Sequence, residues 1–218
     1  MNSDIKYRNI YLPSWCKKCF VSNSGFFWYY FIPKNASESF REVKYASGKD
    51  FFVHRKIINI AELETVSFPF ETRGVDTKSI VILREPFDRL VSSYCWDVRN
   101  KIFDGDVDEY MKHIAHGYPS AEAVPQVEYL KSRAIKVEDI DYVWFVKTLE
   151  KQFNEFCVES GYDLILPTIN VSTSEERLVA EEAMHKPHNY KIYLQEYAED
   201  IEMYEAWWKS VTGDTDDI

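Results

Sequence analysis

Glycine is scarce in this chain, with 7 among 218 residues and none from Phe26 to Ser47. No G-x-x-x-x-G-K-[ST] stretch is present either, which argues against the glycine-cradled phosphate loop of nucleotide kinases. Apolar runs are short, and none approaches the roughly eighteen residues a membrane helix needs. The opening residues MNSDIKYRN lack the apolar core of a signal peptide, so the expectation is a soluble, cytoplasmic protein with no membrane partner. Positive charge is also in deficit. With 26 Lys and Arg against 36 Asp and Glu, the formal net charge is -10, which disfavours nucleic acid or a heavily sulfated polysaccharide as the main partner. Cysteines number four, at 16, 19, 95 and 157. Cys16 and Cys19 have the spacing of half a zinc site, but the matching pair is missing, so no metal is expected and reduced, partly buried thiols are the simpler reading.

Aromatic residues are plentiful at 16%, within 45% hydrophobic residues overall. That suffices for one domain over 1–218, with a loose tail at 213–218. The patterning alternates. Strands are expected at 26–32, 51–54, 79–83, 142–146 and 164–166. Helices are expected from Ser37 to about Ala46, from Pro86 to about Lys101, within 106–135 with breaks near Gly117 and Pro119, and from Leu149 to Ser160, where Gly161 ends the helix. A last helix carries Tyr190, Tyr193, Leu194, Tyr197, Ile201, Tyr204 and Trp208 at three- and four-residue steps, the mark of a core-facing stripe. This order predicts an α/β fold, a single-domain parallel sheet flanked by helices on both faces, with ligands at the carboxyl ends of the strands.

Two segments stand at such ends, FFWYYFIPKNASESF at 26–40 and SIVILREPFDRLVSSY at 79–94. In the first, a strand runs through Pro33-Lys34-Asn35-Ala36-Ser37 into a helix. Unpaired N–H groups at a helix start, the helix dipole, a lysine and hydroxyls together suit an anion. In the second, Arg84 follows a buried strand, Pro86 opens the helix, and Ser92 lies about two turns on. A planar guanidinium holds two oxygens of a terminal phosphate at once.

The pair resembles the cofactor motifs of sulfotransferases that use 3′-phosphoadenosine 5′-phosphosulfate (PAPS), the carbohydrate branch in particular. The family patterns PK-[TVN]-A-S-[TS]-S and R-[DEH]-P-[FV]-x-R-L-[VL]-S meet Pro33-Lys34-Asn35-Ala36-Ser37-Glu38-Ser39 and Arg84-Glu85-Pro86-Phe87-Asp88-Arg89-Leu90-Val91-Ser92 here. Pro125-Gln126-Val127-Glu128-Tyr129-Leu130 is similar to the family's PQ-x-x-[YF]-L stretch, and Ile169-Asn170-Val171-Ser172 to its late N-x-S. The resemblance implies a P-loop-like sulfotransferase fold and PAPS as co-substrate, with 3′-phosphoadenosine 5′-phosphate (PAP) as product. Lys34, Asn35, Ala36, Ser37 and Ser39 would hold the 5′-phosphosulfate, and Arg84 and Ser92 the 3′-phosphate. The absent anchor differs from the Golgi-anchored animal enzymes and fits a soluble bacterial or viral member. One position departs from the pattern: Glu38 stands where the family has Thr or Ser, and a carboxylate facing the site would oppose an anion.

Sulfuryl transfer asks for positioning, charge stabilisation and a base. Lys34 is the candidate for stabilising the leaving phosphate. His54, at a predicted strand end, is the candidate base, with Glu62 and Glu64 as alternatives. Arg89 is read as a structural salt-bridge partner. The acceptor is expected to be a hydroxyl, by resemblance that of a sugar or glycan, met by the segments 55–78 and 102–125. Two other readings stay open: a P-loop-like small-molecule kinase, and a non-catalytic nucleotide-binding module, which Glu38 favours.

Overall fold

The alternation of large apolar and aromatic residues along three short segments builds the centre of the fold. A computed structural model describes residues 19–22, 27–52, 78–132, 135, 137–168 and 174–213. The described elements run β1 Cys19–Val21, β2 Phe27–Tyr30, α1 Ser37–Arg41, β3 Lys44–Tyr45, β4 Lys78–Leu83, α2 Pro86–Arg99, α3 Val107–His116 and α4 Gln126–Lys131. They continue with β5 Tyr142–Phe145, α5 Leu149–Ser160, β6 Leu164–Ile165, α6 Ser174–Met184, α7 Pro187–Glu196 and α8 Ala198–Thr212.

The main sheet has the order β1-β2-β4-β5. Three strands are parallel, with Tyr29 opposite Ile80 and Ile80 opposite Tyr142. The fourth, β1, pairs antiparallel to β2, so the sheet is not wholly parallel as expected. Strand period two sends Tyr30, Ile32, Val81, Leu83, Val143 and Phe145 to one face, covered by Leu130 of α4 and Tyr204 and Trp208 of α8. Phe27, Tyr29, Ile80, Ile82 and Trp144 go to the other, covered by Phe40 of α1 and Phe153 and Phe156 of α5. Helices thus flank both faces of the parallel strands, and burial on both sides explains why β4 reads as a continuous apolar run. A third core, away from the sheet, joins α2, α3, α6 and α7 through Leu90, Val91, Met111, Ile114, Met184 and Tyr193.

Several expectations change. The first helix ends at Arg41, five residues before Ala46. Lys44–Tyr45 instead pairs with Leu164–Ile165, and Gly48, at φ +84°, turns the chain so that Tyr45 N–H reaches the Lys49 carbonyl. Pairing with a distant strand overrides a locally plausible helix. The last helix is two. At Tyr197 (φ -112°, ψ 13°) the chain bends, with the buried Tyr197 hydroxyl donating to the Ala123 carbonyl. α7 then packs into the third core and α8 onto the sheet, so the stripe read as one face divides, leaving Tyr190 and Leu194 exposed. Helix α6 had no counterpart in the sequence reading. Of the strand expected at 51–54, Phe52 makes an isolated antiparallel bridge with Ser22, and Val53 and His54 lie outside the described residues.

Both cysteines with described side chains, buried Cys95 and half-buried Cys157, are free thiols, and burial pushes each above its ordinary pKa. Cys19 opens β1, while Cys16 lies outside the described residues, as do the residues after Gly213. No helix among the described residues is long and apolar enough to cross a membrane.

Candidate functional site

The carboxyl ends of β2 and β4 are neighbours, and the two motifs meet there. Leaving β2, the chain passes Lys34 at φ +66° and Ala36 at φ +54°, both in the left-handed region that costs a residue with a Cβ about 1–2 kcal/mol. Ala36 is left-handed and Ser37 is the first right-handed residue of α1, with no side chain among the described residues capping the helix. A left-right pair of this kind curls successive N–H groups around a concavity suited to an anion.

Three buried side chains hold this strained turn. Asn35 donates through Nδ2 to the Ile82 carbonyl at 2.8 Å and to Gln126 Oε1. Arg89, fully buried, donates through Nε to the Pro33 carbonyl at 3.1 Å and through Nη1 to the Val124 carbonyl at 2.8 Å. Gln126 Oε1 accepts from Arg84 N–H at 2.9 Å while its Nε2 donates to the Arg84 carbonyl at 2.8 Å, continuing β4 by one strand-like pair made by a side chain. Gln126 Nε2 also meets the buried Asp200 carboxylate, which accepts from Val127 N–H. Burial raises the Asp200 pKa, and the Arg89 charge pulls it back. Arg89 is thus structural, as expected, but through backbone carbonyls; no salt bridge to it occurs among the described residues.

At the second junction, Glu85 caps α2 with its own carboxylate, accepting from Phe87 N–H at 2.9 Å and Asp88 N–H at 2.6 Å. These amides are therefore taken, and any anion here must be met by side chains. Arg84 supplies one: its Nη1 donates to the Lys34 carbonyl at 2.9 Å and its Nε to Asp88 Oδ2 at 2.5 Å. Arg177 of α6 pairs with the other oxygen of Asp88.

Asp88, Ser92 and Trp96 recur at four-residue steps on α2 and so form one stripe, about 12 Å long. Arg84 and Arg177 meet it at Asp88. At the far end the Lys34 ammonium sits 4.2 Å above the Trp96 ring. Ser92 is buried midway. Burial foremost, then the nearby Arg84 charge, lowers the Lys34 pKa to about 8. Next to the stripe, Asp97 is fully buried, accepting from the Tyr110 hydroxyl at 2.7 Å and the Ser120 hydroxyl at 2.5 Å, with no partner for Oδ1 among the described residues. Burial raises its carboxyl to about 6, and the Lys34 charge acts weakly in the opposite direction.

Of the expected site residues, the fold sets Lys34 against Arg84 and Trp96 and Asn35 against the end of β4, while Ala36, Ser37 and Ser39 follow in the same turn and α1, and Ser92 lies on the α2 stripe. Asn35, Ser37 and Ser39 are buried, with Asn35 spent on the scaffold. Glu38 forms an ion pair with Arg41 one turn along α1, at 36% side-chain exposure, so its carboxylate is turned along the outer helix surface. His54, Glu62 and Glu64 lie outside the described residues, as does the N-x-S stretch. Sequence reasoning missed Arg177, Asp97 and the role of Gln126. The P-Q-x-x-Y-L stretch was the signal for Gln126; nothing in the local pattern marks Arg177, which reaches the site only because α6 packs on α2. Comparison of the chain with protein-family models, with curated proteins and with solved structures finds no match.

Proposed function

We propose that this chain is a PAPS-dependent sulfotransferase that moves a sulfuryl group to a hydroxyl acceptor, a sugar or glycan by family resemblance. One observation carries the reading. A single stripe of α2 has a guanidinium cluster at one end, a half-buried lysine of lowered pKa at the other, and Ser92 between them. This spacing suits an elongated ligand with an anionic group at each end, as PAPS has in its 3′-phosphate and 5′-phosphosulfate. The uncapped left-right turn at Ala36-Ser37 fits the same ligand from the lysine side.

In this reading Arg84 and Ser92 grip the 3′-phosphate, and the 33–39 turn orients the phosphosulfate. The acceptor oxygen bonds to sulfur as the bond from sulfur to the bridging phosphate oxygen breaks. Lys34 as ammonium stabilises the charge that grows on that oxygen. A base takes the acceptor proton, and His54 remains the candidate from the sequence. Glu38 is partly exposed and paired with Arg41, which supports a catalytic reading over a non-catalytic module.

Thermal stabilisation tests the proposal, with PAP, ATP and ADP compared on the wild type and on Arg84→Ala. A rise with PAP that Arg84→Ala loses is expected. No rise at saturating PAP would overturn the proposal, and a rise with ATP alone would point to phosphoryl transfer.

A further inference from the structure

The Asp88 carboxylate holds two guanidinium groups at once, Arg84 from its own strand end and Arg177 from α6, 89 residues away in sequence. Asp88 is not needed where it stands for helix integrity, because Glu85 already caps α2 and takes the Asp88 N–H. Its side chain is 39% exposed, whereas Arg84 and Arg177 are 16% and 21% exposed. Two partly desolvated guanidiniums therefore share one more exposed carboxylate next to Ser92 in the α2 stripe, while the neighbouring Glu85 carboxylate is spent on the α2 amides. A phosphate monoester dianion matches the two guanidinium charges in place of Asp88 and offers enough oxygens for both planar forks.

We propose that Asp88 is an internal counter-anion that occupies the site in the free protein and yields to a phosphate monoester, and that Arg177 is the second guanidinium gripping that phosphate. This rests on the sulfotransferase reading in naming the 3′-phosphate of PAP as the group bound. It adds a ligand residue and an internal competitor to that reading. It also makes α6 part of the site, held on α2 by the third core and by the Glu176 carbonyl and carboxylate, which meet Cys95 and Arg99.

Titration calorimetry of PAP and adenosine 5′-phosphate, which lacks the 3′-phosphate, tests it on the wild type, Arg177→Gln, Arg177→Lys and Asp88→Asn. Arg177→Gln should weaken PAP at least tenfold and leave adenosine 5′-phosphate within twofold, with partial recovery in Arg177→Lys. Asp88→Asn should tighten PAP several-fold, a gain that a misfolded variant cannot produce. PAP binding unchanged within twofold in Arg177→Gln, or weakened in Asp88→Asn, would overturn the inference while leaving the sulfotransferase reading intact. If the wild type ignores PAP yet inorganic pyrophosphate raises its melting temperature in an Arg177-dependent way, the anion site stands and the sulfotransferase reading falls. No response to either ligand sinks both.

Discussion

The two strand-to-helix junctions differ in what they leave available. At the end of β2 the chain enters a five-residue helix through two left-handed residues, and no side chain among the described residues caps it. At the end of β4 it enters a fourteen-residue helix whose first amides are satisfied by Glu85. The first junction stores strain and offers backbone donors; the second is relaxed and offers only side chains, Arg84 and Ser92. The same topology thus presents two kinds of donor set, and what separates them is whether a carboxylate stands at the N-cap. The strained turn survives because the relaxed helix supports it: Arg89 reaches from α2 to hold the Pro33 carbonyl.

The largest test of this contrast removes that support. Arg89→Ala leaves the buried Pro33 and Val124 carbonyls without their donor and removes the charge that offsets the burial of Asp200, and should lower stability by about 3–5 kcal/mol in urea unfolding. A loss below about 1 kcal/mol would mean that the first turn stands without the second helix.

A smaller effect lies in Lys34. The ammonium is the anion-binding form, and its pKa near 8 lies below that of a free lysine, so PAP affinity should fall about tenfold as pH rises from 7 to 9. Lys34→Arg, whose guanidinium stays charged, should flatten that step. Calorimetry across the pH range reads this out; an unchanged step in the variant would assign the proton to another group.

Removing the second cap should cost about 1 kcal/mol: Glu85→Ala frees the Phe87 and Asp88 amides and lowers the melting temperature. The contrast sharpens if that variant gains affinity for inorganic phosphate, since an opened α2 would then behave as the open turn at 33–37 does. The smallest effect comes from Ala36→Gly, which relieves a left-handed Cβ and should raise stability by about 0.5 kcal/mol. Stability unchanged or lowered would show that the turn is held at no cost.

Much of the fold was legible because it follows short-range rules. The strands at 79–83 and 142–146, the proline-opened α2 and the Gly161 stop of α5 appear within a residue or two of expectation. Lys44–Tyr45 did not, because its partner Leu164–Ile165 is far away in sequence. Nor did the division of the last helix, since its aromatic stripe keeps helical spacing through Tyr197 and only packing decides which part meets the sheet. In the candidate site, Lys34, Arg84 and Ser92 could be singled out from their motifs. Gln126, Asp97 and Arg177 could not be placed, because each depends on elements that meet only after folding.

The sequence by itself determined the strand-turn-helix junctions, their residue chemistry and the buried α/β pattern, since periodicity, proline and unpaired helix amides act within a few residues. Tertiary structure alone decided that the two junctions lie side by side, that Gln126 ties the Asn35 turn to the end of β4, and that Asp88 lies between two arginines. These outcomes depend on which distant groups are brought within hydrogen-bond reach, and a short stretch of chain carries no record of that.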